Sequence, residues 1–483
     1  MNKRLNHNIK DILKNSGSVM FSNIFDIFIN IVIISVLAKY FGQAEFGKLS
    51  FLSVFLFFFG SLDDFLIKPI LIRELSRNRL NSSVILGNGL IIRVLLSLIV
   101  IAVFWFCAYF TYWKISFIKL VFFASLGIIM TSIGASYETA FQANLRMLLP
   151  KALNVINKII TLGLVYLVVI FKGTLLDFYM LSCILGALLL LTLKHYAEKL
   201  IKPEFKIDFM VWREIICESW PLWLTAICIF IYHRIDQILL FRMKGPDSVG
   251  FYSAAVKFSE IFNVVPMALK ASILPLLAHY YKISSESFTK IYELSFKYLL
   301  LFIIPIVIIV NIFSKEIIYF IYGDKFIISA SALNILIFSE IFVFMGIVNN
   351  SILIASGKQI MDPVFTGASA FINVILNLFL IPRYGFIGAA IASLVSYPVG
   401  PVMGFFFKVT KPYSLSMFRH SLKPLVGAAI MGLCAFQFKD NIFISLVIAA
   451  VVYSLVIYLI RGINKSDKAI LMSIFTGSKK YDI

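Results

Sequence analysis

Long apolar runs follow one another along almost the whole chain, and this spacing constrains the fold more than any other feature. From about Ser16 to Arg461, apolar stretches of about 20 residues alternate with short loops rich in Lys, Arg, Gly or Pro. Hydrophobic residues make up 60% of the 483 residues, charged residues 14%, and the mean hydropathy is +0.93. A water-soluble chain cannot bury that much apolar surface, whereas an apolar helix crosses a bilayer with its backbone satisfied. The sequence therefore predicts an all-α polytopic membrane protein.

We predict about 14 transmembrane helices from the lengths of the apolar runs. They cover 16–40, 46–67, 84–110, 116–141, 150–171, 175–196, 218–241, 250–277, 291–313, 327–355, 363–381, 386–407, 420–437 and 441–460. The longest connection, 195–217, is too short to fold into a soluble catalytic domain. We therefore expect no conventional soluble active site and no catalytic residues.

Basic residues lie on one side of the predicted membrane topology. The net charge of +19 would suggest nucleic acid as the partner of a soluble protein. Here the Lys and Arg residues concentrate in the N-terminal segment, in alternate loops, in the 195–217 connection and in the tail from Arg461. This bias predicts that both termini are cytoplasmic and that the charge meets anionic lipid headgroups rather than nucleic acid.

Cysteine and histidine spacing indicates neither a metal nor a redox site. The five Cys and five His residues are scattered, and no segment has the full phosphate-loop form G-x-x-x-x-G-K-[ST]. We expect no metal, no cofactor and no direct use of ATP.

A weak internal repeat divides the chain. The segments Ala44–Ser50 and Asp247–Ser253 share a pattern, and their glycines, Gly47 and Gly250, are 203 residues apart. This offset of about six spans predicts two parallel six-helix lobes. The predicted parts are an N-terminal lobe at 1–200, a cytoplasmic linker at 201–217, a C-terminal lobe at 218–410, and two additional helices with a cytoplasmic tail at 411–483.

An ordered series of short motifs resembles a known family. The N-terminal half carries Phe41-Gly42, Glu45-Phe46-Gly47 and Arg73-Glu74-Leu75, and the C-terminal half carries Val249-Gly250-Phe251-Tyr252-Ser253 and Ile381-Pro382-Arg383-Tyr384-Gly385. In this order they resemble the polysaccharide-biosynthesis flippases of the O-antigen flippase (Wzx) type, within the MOP exporter superfamily. The likeness covers nearly the whole chain.

This resemblance implies a MATE-like fold in a bacterial inner membrane. It also implies that the protein flips undecaprenyl-diphosphate-linked oligosaccharide units, for O-antigen, capsule or a similar glycan, from the cytoplasmic to the outer leaflet. The implied mechanism is alternating access coupled to an ion or to the membrane potential. Membrane lipids, a glycan polymerase and a chain-length regulator are the implied partners. A multidrug or cation antiporter of the same fold, and a membrane polysaccharide polymerase or glycosyltransferase, are the alternatives.

A diphosphate headgroup needs compensating charge inside the membrane, so basic residues within spans are the candidate substrate-binding groups. They are Arg234, Lys257, Arg93, Lys158 and Lys270. Arg suits this task because its guanidinium can hold phosphate oxygens with two parallel bonds. The alternative for Arg234 is an ion pair that fixes helix packing, and for Arg93, Lys158 and Lys270 it is a side chain that reaches the headgroups.

Acidic residues within spans are the candidate ion-coupling groups. They are Asp26, Asp63, Asp64, Asp236, Glu260 and Glu340. Two roles are open for each of them. The carboxylate either binds a coupling proton or Na⁺, or it is a structural group paired with neighbouring polar side chains. Lys257 and Glu260 are three residues apart, which on one helix makes them neighbours that can neutralise each other.

Overall fold

The protein is almost entirely helical. The structure, a computed structural model, describes residues 2–62, 67–77, 81–111, 114–408 and 410–462. Within these ranges helices are joined by short turns, without a β-strand. Two compact units divide the chain, Met1–Gly250 and Phe251–Ile483.

The first unit contains seven α-helices and the start of an eighth, among the residues described. These helices are α1 Asn2–Leu62, α2 Lys68–Arg77, α3 Ser82–Thr111, α4 Ile115–Ala143, α5 Leu148–Ile170, α6 Leu175–Glu198, α7 Phe209–Lys244 and α8 Pro246–Ser259. The second unit continues with the 3₁₀ turn Glu260–Asn263, and then with α9 Val264–Ile283, α10 Ser285–Ile312, α11 Ser314–Tyr322, α12 Ser329–Ala355, α13 Asp362–Ser396, α14 Val399–Met403, α15 Lys411–Gln437 and α16 Ile442–Leu459.

The helices confirm the predicted class of a polytopic α-helical membrane protein. Ten helical stretches in the described ranges are long and apolar enough to cross a membrane. α1 carries the predicted span 16–40 and residues 46–62 of the next one, and α13 carries 363–381 and residues 386–396 of the following span. The count of fourteen and the lobe boundaries stay predictions.

Glycines with left-handed backbone break the long helices. Gly42 inside α1 has φ 74° and ψ −175°, and Gly245 between α7 and α8 has φ 83° and ψ 179°. Only glycine adopts such dihedrals without a steric penalty from Cβ. The two residues are 203 positions apart, the same offset as Gly47 and Gly250. The predicted sequence repeat therefore includes a repeated backbone turn.

These two turns pack directly against each other. A Cβ atom on Gly47 would overlap the carbonyl of Pro246, and one on Gly250 would overlap the carbonyl of Gln43. Backbones can approach this closely only where side chains are missing, as at small-residue contacts between membrane helices. The glycines of the repeat are thus required by a helix contact within the first unit.

Aromatic side chains form the centre of the first unit. Phe51, Phe55, Phe104, Phe117 and Phe241 are each at most 2% exposed, and their ring centroids lie 4.3–5.9 Å apart in contacting pairs. They come from α1, α3, α4 and α7, so these four helices share one core. Such pairs add to the stabilisation from apolar burial, by about 0.5–1.5 kcal/mol each.

The connection between α6 and α7 is pinned to α3. Asn88, fully buried, donates from Nδ2 to the carbonyl of Lys206 at 2.9 Å, and its Oδ1 accepts from the Asp208 amide and from Trp212 Nε1 at 3.0 and 2.7 Å. The Glu204 amide also donates to the carbonyl of Ser83 at 2.9 Å. The basic segment before α7 is therefore held in a fixed position on α3 by hydrogen bonds.

In the second unit, α10 packs against α15, α12 and α9, and α12 packs against α9 and α13. α15 and α16, which the sequence predicts as an appendage, pair with each other through Met431, Ala435 and Ala449, against Ile308 and Ile312 of α10. Their outward faces expose large apolar side chains, including Leu422, Val426, Leu433, Val447, Val451 and Leu455. Such surface requires lipid as its surroundings.

We expect Gly250→Ala to destabilise the protein, because the new methyl group overlaps the backbone of Gln43. Overpacking of this kind costs about 1–3 kcal/mol. Thermal unfolding in detergent measures the effect. The control is Gly127→Ala on α4, where a Cβ atom meets nothing within 4 Å. Equal melting temperatures for the two variants would mean that the close approach does not exist.

We expect Asn88→Leu to release the connection before α7, because it removes the acceptor and donors that hold this segment. Trypsin should then cleave after Lys206 at least about tenfold faster, since each lost hydrogen bond is worth about 1 kcal/mol. Asn144→Leu is the control, because the Asn144 amide donates to Ala140 in its own helix. Unchanged cleavage rates in Asn88→Leu would contradict the pinned connection.

Candidate functional site

The first unit holds a lysine inside its membrane-spanning helices. Lys158 on α5 is half-buried, and its Nζ donates to Asn30 Oδ1 on α1 at 2.9 Å. Asp26 lies one helical turn before Asn30, and its carboxylate interacts electrostatically with Lys158. The spacing of four residues places Asp26 and Asn30 on the same face of α1. The packing of α1 against α5 therefore creates a Lys–Asn–Asp cluster.

A second cation lies near the same carboxylate. Lys151, seven residues before Lys158 on α5, donates from Nζ to Glu138 Oε1 on α4 at 3.0 Å and also interacts with Asp26. Two turns of helix separate the lysines, so both project from one side of α5. Charged groups thus run along one face of the first unit's α5.

Arg234 on α7 contacts an aromatic ring of α1. Its guanidinium carbon lies 4.4 Å from the ring centroid of Phe57. A cation over an aromatic face is stabilised by about 0.5–2 kcal/mol, more where water is excluded. The ring of Phe57 therefore supports the arginine.

The second unit holds a lysine with the same kinds of partner. Lys270 on α9 donates from Nζ to Asn350 Oδ1 on α12 at 2.6 Å. Asp362, the first residue of α13, hydrogen-bonds Asn350 and interacts electrostatically with Lys270. Three helices meet here, because α12 packs against both α9 and α13. Each unit therefore contains a half-buried Lys–Asn–Asp cluster built from different helices.

This arrangement keeps a positive charge inside a low-dielectric region. An ammonium desolvated without a partner is strongly unfavourable, whereas an amide oxygen and a nearby carboxylate compensate it. The amide carries no charge of its own. The lysine can therefore exchange its aspartate for another anion and keep its hydrogen bond to asparagine. Chemically, such a cluster can bind an anionic group or respond to protonation of its carboxylate.

The other predicted basic residues lie in varied surroundings. Arg93 on α3 is 0% exposed, and its backbone carbonyl accepts from Ser132 Oγ on α4 at 3.1 Å. Lys257 is half-buried in the last turn of α8. Glu260 follows where the α-helix changes to a 3₁₀ turn, so the pair does not lie on one regular helix.

The remaining predicted acids are spread over both units. Asp236 on α7 is 2% exposed and accepts from the Gln237 amide at 2.7 Å. Glu340 on α12 is 3% exposed. Asp63 and Asp64 lie outside the described residues. Asp26 lies beside a predicted basic residue, Lys158.

Sequence reasoning missed two partners in these clusters. Asp362 begins α13, with Pro363 in the first turn, where proline is tolerated. Asn30 is an uncharged residue in an apolar run. Its spacing of four from Asp26 is the one sequence feature that places it on the same helix face as that carboxylate. Asn350 accepts its hydrogen bond from Lys270 on the neighbouring helix α9.

A near-match to a phosphate loop has a structural role. Gly42–Leu49 reads G-Q-A-E-F-G-K-L and departs from the phosphate-loop form at its last position. In the structure Gly47 and Lys48 lie within α1, and Lys48 forms an ion pair with Glu45. Gly47 packs against the backbone of Pro246. The segment therefore has no loop that could surround a phosphate.

Metal-binding geometry is missing from the part of the chain that the structure describes. No group of three or more His, Cys, Asp or Glu side chains lies close enough to hold an ion among these residues.

Two family models match the chain. One, described as polysaccharide biosynthesis protein, matches residues 12–281. The other, described as MatE, matches residues 221–379.

Curated relatives carry names from glycan biosynthesis. The chain is 24% identical over 284 residues to the "probable low-salt glycan biosynthesis flippase Agl15" of Haloferax volcanii, covering 58% of this chain and 59% of that protein. It is 24% identical over 262 residues to the capsular polysaccharide biosynthesis protein CapF of Staphylococcus aureus, covering 52% of this chain and 65% of CapF. The matches thus span less than two thirds of the length of each of these relatives.

A solved structure has the same fold. The lipid II flippase MurJ in an inward closed conformation superposes with a TM-score of 0.74 at 16% sequence identity, covering 93% of this chain and 98% of MurJ. At this identity the likeness establishes the fold and leaves the activity open.

We expect Lys270 and Asn350 to be energetically coupled. A double-mutant cycle with Lys270→Met and Asn350→Leu should give a coupling of about 1–3 kcal/mol in the free energy of unfolding, as for hydrogen bonds to charged groups. The control cycle combines Lys270→Met with Asn311→Leu, since the Asn311 amide donates to the carbonyl of Asn334. Additivity in the Lys270–Asn350 cycle would show that the bond does not stabilise the second unit.

Proposed function

The chain belongs to the polysaccharide biosynthesis protein family, and on that premise we propose that it flips undecaprenyl-diphosphate-linked oligosaccharide units across the membrane. The resemblance in the sequence motifs is thereby confirmed, as is the multi-pass membrane character. The proposed direction is from the cytoplasmic to the outer leaflet of a bacterial inner membrane, by alternating access. The proposed glycan is O-antigen, capsule or a similar repeat unit.

One observation carries this proposal: each unit holds a half-buried lysine, Lys158 or Lys270, within helices that are apolar enough to span a membrane. A diphosphate cannot enter about 30 Å of hydrocarbon without compensating charge. A cation inside a spanning helix does not help that helix to pack against lipid. Cations held by neutral amides offer the headgroup an electrostatically favourable site.

We assign three further basic residues to the same task. Arg234 supplies planar guanidinium donors that suit phosphate oxygens, and Phe57 holds it in position. Lys257 and Arg93 add positive charge in the second and first units. The length of the undecaprenyl chain keeps the tail in lipid while the headgroup moves.

The carboxylates next to the lysines provide a route for coupling. In the proposed cycle, a proton on Asp26 removes the negative charge beside Lys158, which then attracts the diphosphate more strongly. Loss of that proton restores the internal pair and favours release. Asp362 stands in the same relation to Lys270. We assign supporting roles in ion coupling to Asp236, Glu260 and Glu340.

The names of similar proteins support the proposal of glycan-lipid transport. Agl15 and CapF are named for glycan and capsular polysaccharide biosynthesis, and MurJ is named as a lipid II flippase. Flippase relatives also favour transport over the alternative of a membrane polymerase or glycosyltransferase. In the proposed setting a glycan polymerase and a chain-length regulator act on the flipped product.

The match of a MatE model to residues 221–379 favours a second candidate function, export of organic cations by antiport. The basic residues Lys270 and Arg234 fall within this range and would repel a cationic drug. A glycan-diphosphate substrate fits their charge better.

We expect Lys158→Gln and Lys270→Gln each to slow flipping by at least about tenfold, because each removes a charge-assisted bond of about 1.5–3 kcal/mol to the headgroup. The protein is reconstituted into vesicles that contain undecaprenyl-diphosphate oligosaccharide. A membrane-impermeant lectin then measures the glycan exposed at the surface over time. Arg234→Ala should also abolish transport at an unchanged protein level.

Lys194→Gln on α6, where the lysine is exposed, is the matched control and should flip at the normal rate. Lys158→Arg and Lys270→Arg should retain part of the activity, since they keep the charge. Normal flipping in both glutamine variants would refute the proposed site. Efflux of an organic cation from the same vesicles, with no glycan movement, would instead support the antiporter.

A further inference from the structure

A basic cavity lies at one end of the second unit, apart from the residues assigned to transport. Its volume is about 330 Å³, and it is bounded by α10, α15 and the turn that follows α16. The lining residues are Glu293, Lys297, Leu301, Arg419, His420, Lys423, Pro424 and Gly462. Three permanent cations face one carboxylate here, so the cavity carries an excess of positive charge.

The cavity sits where each bounding helix changes from polar to apolar. On α10 the charged residues end at Lys297, and on α15 they end at Lys423. The apolar run of α16 ends at Ile460, just before Gly462. Such a boundary on three neighbouring helices marks the level of the lipid headgroups.

Apolar surface continues from the cavity along the helices. Leu422, Leu425 and Val426 on α15 are 48–52% exposed, and Leu455 and Leu459 on α16 are 55% and 66% exposed. A ligand that fills the cavity with a charged group and lies against these leucines must be an amphiphile. A soluble anion would use the cations and leave the apolar surface uncovered.

The walls of the cavity are held by specific bonds. Lys423 Nζ donates to the carbonyl of Arg461 at 3.1 Å, and Tyr453 OH donates to the carbonyl of Leu301 at 2.9 Å. Arg461 has φ 50°, a left-handed conformation that helix ends normally give to glycine. The Gly462 amide donates to Ile457 at 2.7 Å and closes this helix end. The structure therefore maintains an unfavourable backbone conformation at the cavity wall.

The carboxylate of Glu293 narrows the choice of headgroup. It accepts from Ser416 Oγ at 3.3 Å on the same side as the cations. A headgroup that is only a phosphate gains nothing from a carboxylate, whereas a headgroup with hydroxyl groups can donate to it. Glycerol on a phosphate supplies both chemistries.

We propose that this cavity binds the headgroup of an anionic glycerophospholipid of the phosphatidylglycerol type. The phosphate lies among Lys297, Arg419 and Lys423, and the glycerol hydroxyls point to Glu293. The acyl chains follow the exposed leucines of α15 and α16. Basic pockets between membrane helices at this level suit such headgroups. The bound lipid would fasten α15 and α16 to α10.

Native mass spectrometry of the delipidated full-length protein in detergent tests the proposal. Dioleoylphosphatidylglycerol, dioleoylphosphatidylcholine and inorganic phosphate are the three probes. We expect one phosphatidylglycerol molecule to bind with clear preference over phosphatidylcholine. In Lys297→Gln/Arg419→Gln/Lys423→Gln its affinity should fall about a hundredfold, since each cation near a lipid surface contributes roughly a fivefold factor.

Lys408→Gln/Lys411→Gln, which removes two exposed cations of the same unit, is the control and should bind normally. Arg419→Gln alone is the second variant, because Arg419 is exposed and its loss should leave folding intact, while binding weakens about fivefold. Equal binding of the two lipids, or normal binding by Arg419→Gln, would overturn the proposal. Displacement of phosphatidylglycerol by inorganic phosphate would identify a soluble-anion site and overturn it equally. The measurement is at equilibrium and without transport, so it stands apart from the flipping assay.

Discussion

Burial of positive charge among membrane-spanning helices is the constraint on which the functional interpretation of this protein depends. An ammonium in a low-dielectric region needs a partner, and a carboxylate alone would neutralise it. In both units the lysine instead donates to an asparagine, with an aspartate nearby: Lys158 with Asn30, and Lys270 with Asn350. This combination keeps the lysine charged and leaves the aspartate able to change its own state.

Contacts between backbones set the positions of the helices that carry these groups. Gly42 and Gly245 turn the chain at equivalent points of the repeat, and Gly47 and Gly250 let the following helices touch. Small residues are the usual means of close packing where lipid removes the hydrophobic driving force. The Asn88 bonds to the segment before α7 add a polar constraint on the same unit, so α7, with Arg234, is held at both ends.

The two phosphate-binding places that we propose in the second unit are chemically related but separate. Lys270 lies within a spanning helix and is held by Asn350 and Asp362, as expected for a group that a passing headgroup can engage and leave. Lys297, Arg419 and Lys423 lie at the headgroup level around an open cavity. The first arrangement suits transient binding because it has an internal competitor, and the second suits a resident lipid because cations are in excess.

Apolar runs and charge bias in the sequence by themselves determined the membrane class, the helical architecture and the family, because bilayer thickness leaves few alternatives for runs of this length. The repeat of Gly47 and Gly250 was also visible, and so were Lys158, Lys270 and Arg234 as charges in apolar surroundings. Only the tertiary structure decided their partners. Phe57 and Asp362 carry no signal of their own, and Asn30 has only its spacing of four from Asp26. Hydrogen bonds and ring contacts between helices depend on which faces meet. That choice is made by packing of the whole unit and not by any local pattern.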